Sequence, residues 1–151
     1  MSAARGDEVV AVALGGVVGA LARYTISAAV PHSDCAAWPW ATFVTNLLGC
    51  LLLGIVLDWV DNRHEHWKRL HPRRARLARP LLASGVLGGF TTFSTFSVET
   101  YGLIDTGHAG AAIGYAVGSV LLGVAMVVLG RGIGSAVLGA APLDLREDEA
   151  L

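Results

Sequence analysis

The sequence predicts an all-α membrane protein of four transmembrane helices. Two observations carry that reading. Stretches free of Asp, Glu, Lys and Arg cover residues 35–57, 80–98 and 106–130, which are 23, 19 and 25 residues long, and a helix needs about 20 apolar residues to cross the bilayer core. Hydrophobic residues make up 54% of the 151 and charged ones 15%, against roughly 25% charged in a soluble domain. A soluble globular enzyme is nearly excluded. A net charge of −1 gives no electrostatic footing for a nucleic-acid partner.

The first span covers about residues 9–30. It follows Arg5, Asp7 and Glu8, is broken by Arg23, and runs past an A-x-A-like exit without a clear cleavage site. It therefore reads as a span and not as a secretory leader. The second span, about 40–59, has Trp38, Trp40 and Trp59 at its ends, where indole rings anchor to the membrane–water interface. The third covers about 80–101 and the fourth about 109–130. Residues 1–130 thus form one four-helix transmembrane unit, and 131–151, ending in Asp144, Glu147, Asp148 and Glu149, read as a short charged tail.

Between spans two and three, residues 58–79 hold Asp58, Asp61, Arg63, Glu65, Lys68, Arg69, Arg73, Arg74, Arg76 and Arg79, with His64, His66 and His71. No cysteine lies nearby to complete a zinc site, so this reads as a solvated connector. Cys35 and Cys50 give neither a disulfide framework nor metal spacing, and Cys50 reads as a packing residue. Ten of the 11 basic residues fall in the N-terminus, this connector or the C-terminus, leaving Arg23 alone elsewhere. The positive-inside rule then places both termini in the cytoplasm, in a multi-pass protein of the cell membrane.

The most unusual stretch lies in span three, Gly85-Val-Leu-Gly88-Gly89-Phe90-Thr91-Thr92-Phe93-Ser94-Thr95-Phe96-Ser97. Paired glycines followed by paired threonines are poor material for an uninterrupted helix. A break would turn carbonyl oxygens inward, as a hard cation such as Na⁺ prefers, because freed backbone groups in a bilayer must find partners. The competing reading is an intact helix with Ser and Thr hydroxyls bonded back to their own carbonyls. Phe93 and Phe96, at i and i+3, share a helix face, with Thr92, Thr95 and Glu99 on an adjacent one. Such rings usually pack a core, yet their edges carry the positive lobe of the quadrupole and can receive an anion.

Asn46 interrupts span two, either as interhelical glue or as a donor to a permeating ion. In span four Tyr115, Ser119 and Gly123 repeat at i, i+4 and i+8, beside a small-residue ladder of Gly110, Gly114 and Gly118 suited to close helix contact. Gly15 and Gly19 make a similar pair in span one.

These elements resemble the Fluc (CrcB) fluoride channels. The likeness is carried by Gly16-Val-Val-Gly19-Ala20-Leu-Ala-Arg23-Tyr24, Thr45-Asn46-Leu-Leu-Gly49 and, most specifically, Gly88 through Glu99, and it covers all four spans in order. The resemblance implies an antiparallel, dual-topology-type dimer with two fluoride pores along its interface. It implies that Phe93 and Phe96 form the phenylalanine box and that Asn46 lines the pore. Tyr115 and Ser119 would belong to the polar track, with Ser94 and Thr95 as hydroxyls beside the box. The break would be the site of a structural Na⁺, not transported, held by the backbone carbonyls of Gly88 and Thr91 from both subunits. Gly123 stands where many relatives carry a hydroxyl, and Arg23 matches an arginine near the pore mouth.

Elementary physics fits such a role. Fluoride is strongly hydrated, so a selective pore replaces its water with several weak donors, whereas a fixed cation would hold it too long. No nucleotide motif or proton relay is evident, which favours passive efflux. An inside-negative potential favours expulsion by about 2.3 kcal/mol per 100 mV, lowering cytoplasmic fluoride. The basic-residue asymmetry adds one expectation. An antiparallel homodimer needs a chain that inserts both ways, and this bias suggests a fixed orientation and an oppositely oriented homologue as partner. Alternatives from other classes are a small multidrug-type proton antiporter, which would need an embedded carboxylate in span one, and a non-conducting membrane scaffold.

Overall fold

The computed structural model describes residues 2–29 and 38–138. Cys35, the end of the first span and the acidic tail residues lie outside them. Helix α1 spans Ser2–Ala29 and α2 spans Trp40–Leu70. A third span follows in pieces: α3 (Pro72–Arg79), a π-helical stretch (Pro80–Leu87), α4 (Gly88–Phe90) and α5 (Phe93–Asp105). Helix α6 closes the fold at Ala109–Leu138. Four of these segments are long and apolar enough to cross a membrane, at Arg5–Ala29, Trp40–Arg63, Pro72–Asp105 and Ala109–Val137.

The connector between spans two and three is helical and not an irregular loop. Helix α2 continues through its charged end to Leu70, and only His71 separates it from α3. Pro72 supplies the stop, because the residue before a proline is pushed out of the α region; His71 has φ −141° and ψ 68°. Proline at the first helical position then restarts the helix. Pro80 lacks an N–H and crowds the carbonyl four residues back, and the chain answers with a π-helical register through Leu87. Helix α6 likewise extends beyond residue 130, because Arg131 pairs with Asp61 at 3.8 Å and Ser135 donates to Asp58 at 2.9 Å.

Two close-packed helix pairs organise the molecule. Helix α1 lies on the first half of the third span, and a Cβ at Gly15, Gly19 or Gly85 would meet the opposing backbone. Helix α2 packs along α6, where Gly54 and Gly130 bring the two backbones together and a Cβ on Gly134 would sit 2.8 Å from that of Asp58. Among the described residues the Gly110, Gly114 and Gly118 ladder makes no such contact: nothing there lies within 4 Å of a Cβ at Gly110 or Gly118, and Gly114 meets only the Trp38 ring. Spacing identifies a groove on a helix but not the neighbour that fills it, and the close contacts of α6 lie further along, at Gly130 and Gly134.

Helix α5 ends in a Schellman turn. His108 N–H bonds to the Leu103 carbonyl, Gly107 N–H to that of Ile104, and Gly107 takes φ +81°. The core at this end joins Phe43, Leu103, Ala112 and Tyr115, with Trp38, Leu47 and Phe96 packed against it.

Candidate functional site in the broken third span

The third span breaks at Thr91 and Thr92. Thr91 has φ −78° and ψ 160°, Thr92 has φ −144° and ψ 121°, and both are extended. The intact-helix alternative is thereby removed. Asn46, reaching across from α2, closes the gap: its Oδ1 accepts the Thr92 N–H at 2.9 Å and its Nδ2 donates to the Thr92 carbonyl at 3.1 Å. Because the Thr92 N–H goes to Asn46, the Gly88 carbonyl lacks its helical i+4 donor. Thr91 is held by its N–H and its hydroxyl, both donating to the Leu87 carbonyl at 3.0 Å.

Thr92 also starts the next helix. Its Oγ1 accepts the Thr95 N–H at 3.1 Å, a side-chain N-cap, and donates to Thr95 Oγ1 at 2.9 Å, with Ser94 Oγ 3.3 Å away. That spends the Thr92 hydroxyl proton and leaves the Thr95 proton free to turn outward. Thr92 therefore caps α5 and is not on its face, contrary to its sequence grouping with Thr95 and Glu99.

Phe93 and Phe96 project from the first turn of α5, with ring centres 5.8 Å apart and planes inclined by 36°. Phe93 is 80% exposed. Phe96 lies against Tyr115 with centres 5.1 Å apart. Below them opens a cleft of about 370 Å³ lined by Asn46, Gly88, Thr91, Phe93, Phe96 and Ser119, among others. Ser119 Oγ is buried and has no hydrogen-bond partner. An unpaired buried hydroxyl in a mostly apolar cleft is costly unless water, an ion or another chain meets it.

Tyr115, behind Phe96, does not line the cleft. Its ring is fully buried, and its hydroxyl donates to Glu99 Oε2 at 2.8 Å. Thr42 donates to Glu99 Oε1 at 2.7 Å. One carboxylate thus joins α2, α5 and α6. Ser94 and Thr95 are exposed beside the cap and do not line the cleft. Arg23 is half-buried on α1 and makes no ion pair among the described residues, and Gly123 packs on α2, where an added Cβ would lie 3.4 Å from Cys50 Sγ.

Comparison with known proteins decides the lineage. The family model described as "CrcB-like protein, Camphor Resistance (CrcB)" matches residues 10–131. The chain belongs to the CrcB family. Among curated CrcB relatives, the "Fluoride-specific ion channel FluC" of Chloroflexus aurantiacus is 41% identical over 122 residues, covering 81% of this chain and 90% of that protein. The protein of the same name from Desulfotalea psychrophila is 44% identical over 120 residues, covering 79% and 85%. "Fluoride-specific ion channel FluC 1" of Mycobacterium bovis is 45% identical over 121 residues, covering 80% and 84%.

Within this CrcB chain, the residues that sequence reasoning left without a role are Thr42 and Glu99. The signals were present. Glu99 is the sole acidic or basic residue between Arg79 and Asp105, and Thr42 stands one helical turn before Asn46. An acid inside a span is a functional position by default; its partners became visible only when α2, α5 and α6 were assembled.

Proposed function

We propose that this chain is one subunit of a fluoride-selective channel that lets cytoplasmic fluoride leave passively. The observation that carries the reading is the Phe93–Phe96 ring pair, Phe93 exposed and Phe96 partly buried, beside a cleft holding Asn46 and the unpartnered Ser119 hydroxyl. Ring edges, an amide and hydroxyls are weak donors, able to replace the water of a small anion without trapping it. Ser94 and Thr95 flank the rings, and Ser119 continues the polar track; Tyr115 stands behind Phe96 with its hydroxyl committed to Glu99, and would join the track only through that carboxylate. Names of relatives 41–45% identical over about four-fifths of the chain support the same activity.

Two further elements rest on the same reading. An antiparallel dimer would cover the exposed Phe93 and the open cleft, and the Lys/Arg asymmetry favours an oppositely oriented homologue over a second copy of this chain, with both termini cytoplasmic. A structural Na⁺ fits the break. The carbonyl of Gly88 lacks its helical donor, that of Thr91 lies on extended chain, and hard cations take oxygen ligands. Bound there, the ion would supply a fixed positive charge linking the two third spans.

Fluoride efflux from liposomes, followed with an ion-selective electrode, tests the function. Fluoride current without chloride current is expected, from this chain alone or with its homologue. Proton-coupled export of an organic cation without fluoride current would reject the channel in favour of an antiporter, and no transport with either partner would leave a scaffold.

A further inference from the structure

A second cavity, lined by none of the cleft's residues, lies at the charged end of the molecule. It has a volume of about 640 Å³ and sits between the end of α2 and the beginning of the third span. Its floor is apolar: Trp59, Leu77, Leu81 and Leu82. Its rim carries His71, Arg73 and Arg74. Arg73 pairs with Asp7 at 3.2 Å but remains 75% exposed. Arg74 is exposed and makes no ion pair among the described residues. Lys68 and Arg69 stand exposed just before it on α2, and the guanidinium of Arg63 lies 5.9 Å from the centre of the Trp59 ring.

This combination is specific. Trp59 marks the membrane boundary, so the groove opens where acyl chains meet headgroups, with its greasy floor on the bilayer side and its cations on the water side. Clustered basic residues just outside a span attract anionic lipid, but surface charge alone would have no apolar floor beneath it. We propose that this groove binds one anionic phospholipid of the phosphatidylglycerol type, with the headgroup phosphate on Arg74, Arg73 and His71 and the start of an acyl chain on Leu77, Leu81 and Leu82. The lipid would hold the α2–α3 elbow at the anionic surface and so help to fix which way the chain is inserted.

The test uses the full chain, purified in a nonionic detergent, with dioleoylphosphatidylglycerol and dioleoylphosphatidylcholine offered together and retained lipid read by native mass spectrometry. Preferential retention of phosphatidylglycerol is expected. Arg74→Gln should cut the preference roughly fivefold, the effect of one basic residue at a lipid surface. Leu82→Trp fills the floor with every charge kept, and should lower retention as well. A Lys68→Gln, Arg69→Gln pair outside the groove should leave the preference in place, with unchanged size-exclusion elution as the folding control for all variants. Equal retention of the two lipids overturns the proposal. So does an equal loss in the Lys68, Arg69 pair, which would assign the effect to diffuse charge. Preference that emerges only after deletion of residues 139–151 would assign the groove to the acidic tail and overturn it too.

Discussion

Asn46 holds both backbone polar groups of Thr92, its Oδ1 on the N–H at 2.9 Å and its Nδ2 on the carbonyl at 3.1 Å. A break in a membrane helix frees groups that hydrocarbon cannot satisfy, and one side-chain amide from a neighbouring helix satisfies two of them. The same amide retains a second Nδ2 proton, so the residue that stabilises the break can also face the cleft as a donor.

Replacing Asn46 by Leu should therefore destabilise the fold as well as stop transport. Two backbone groups lose their partner, at about 1–3 kcal/mol each. The thermal midpoint of the purified protein should fall. Asn46→Asp keeps the acceptor for the Thr92 N–H but sets an oxygen against its carbonyl and a negative charge in the proposed path. Liposome efflux should fall to background; normal conduction by Asn46→Asp would remove this residue from the pore.

The two rings should separate by readout. Phe93→Ile removes an exposed ring and should leave the melting curve of the subunit unchanged. Fluoride efflux should slow by about tenfold, the equivalent of roughly 1.4 kcal/mol at the barrier. Phe96→Ile should slow efflux and also cost about 1 kcal/mol of stability through its lost packing on Tyr115. Unchanged flux in both variants would end the ring-edge argument.

The Glu99 node predicts non-additivity. Thr42→Val and Tyr115→Phe each remove one hydroxyl from the same carboxylate, and each should cost about 1–3 kcal/mol. With both gone the half-buried carboxylate loses both hydroxyl partners at once, so the double variant should lose more than the two single losses combined. Additive losses in thermal unfolding would show that Thr42 and Tyr115 act independently.

Where α2 meets α6, Gly130→Val should prevent assembly of the native subunit, because an added Cβ meets the Leu51 carbonyl of α2 and neither backbone can retreat without separating the helices. Gly118→Val, on the unoccupied face, should fold. A monodisperse size-exclusion peak for Gly130→Val would contradict the packing described above.

Topology is the last prediction. A tag after Leu138 should be labelled from one side only in cells expressing this chain alone. Labelling from both sides would show dual insertion and remove the argument for an oppositely oriented homologue.

Much of this was legible in the sequence because bilayer thickness and helical rise turn an uncharged run directly into a span. The weak point in span three was legible too, since Gly88, Gly89, Thr91 and Thr92 each disfavour a continuous helix. What stayed hidden depended on neighbours. Tyr115 and Ser119 share one stripe of α6, yet one hydroxyl is spent on Glu99 and the other is left unpaired in the cleft. No spacing rule separates them, because the difference lies in what α5 brings alongside. The same limit explains why spacing alone did not show that the contacts of α6 with α2 lie at Gly130 and Gly134, while the Gly110–Gly118 ladder faces no described residue of the chain except the Trp38 ring. Charged residues at 58–79 marked a solvated connector without fixing its conformation, and helices tolerate such charges well once they leave the membrane.

The interruption at Thr91 and Thr92 also divides mechanical allegiance. The segment before it is anchored to α1 through Gly15, Gly19 and Gly85, whereas the segment after it is tied to α2 and α6 through Asn46, Glu99 and Tyr115. Along the third span itself, a displacement of the first half by lipid pressure or a crowded side chain reaches the Phe93 and Phe96 rings across two extended residues. The break would thus work as a shock absorber, letting the first half of the third span adjust to its bilayer while the aromatic half keeps its aim.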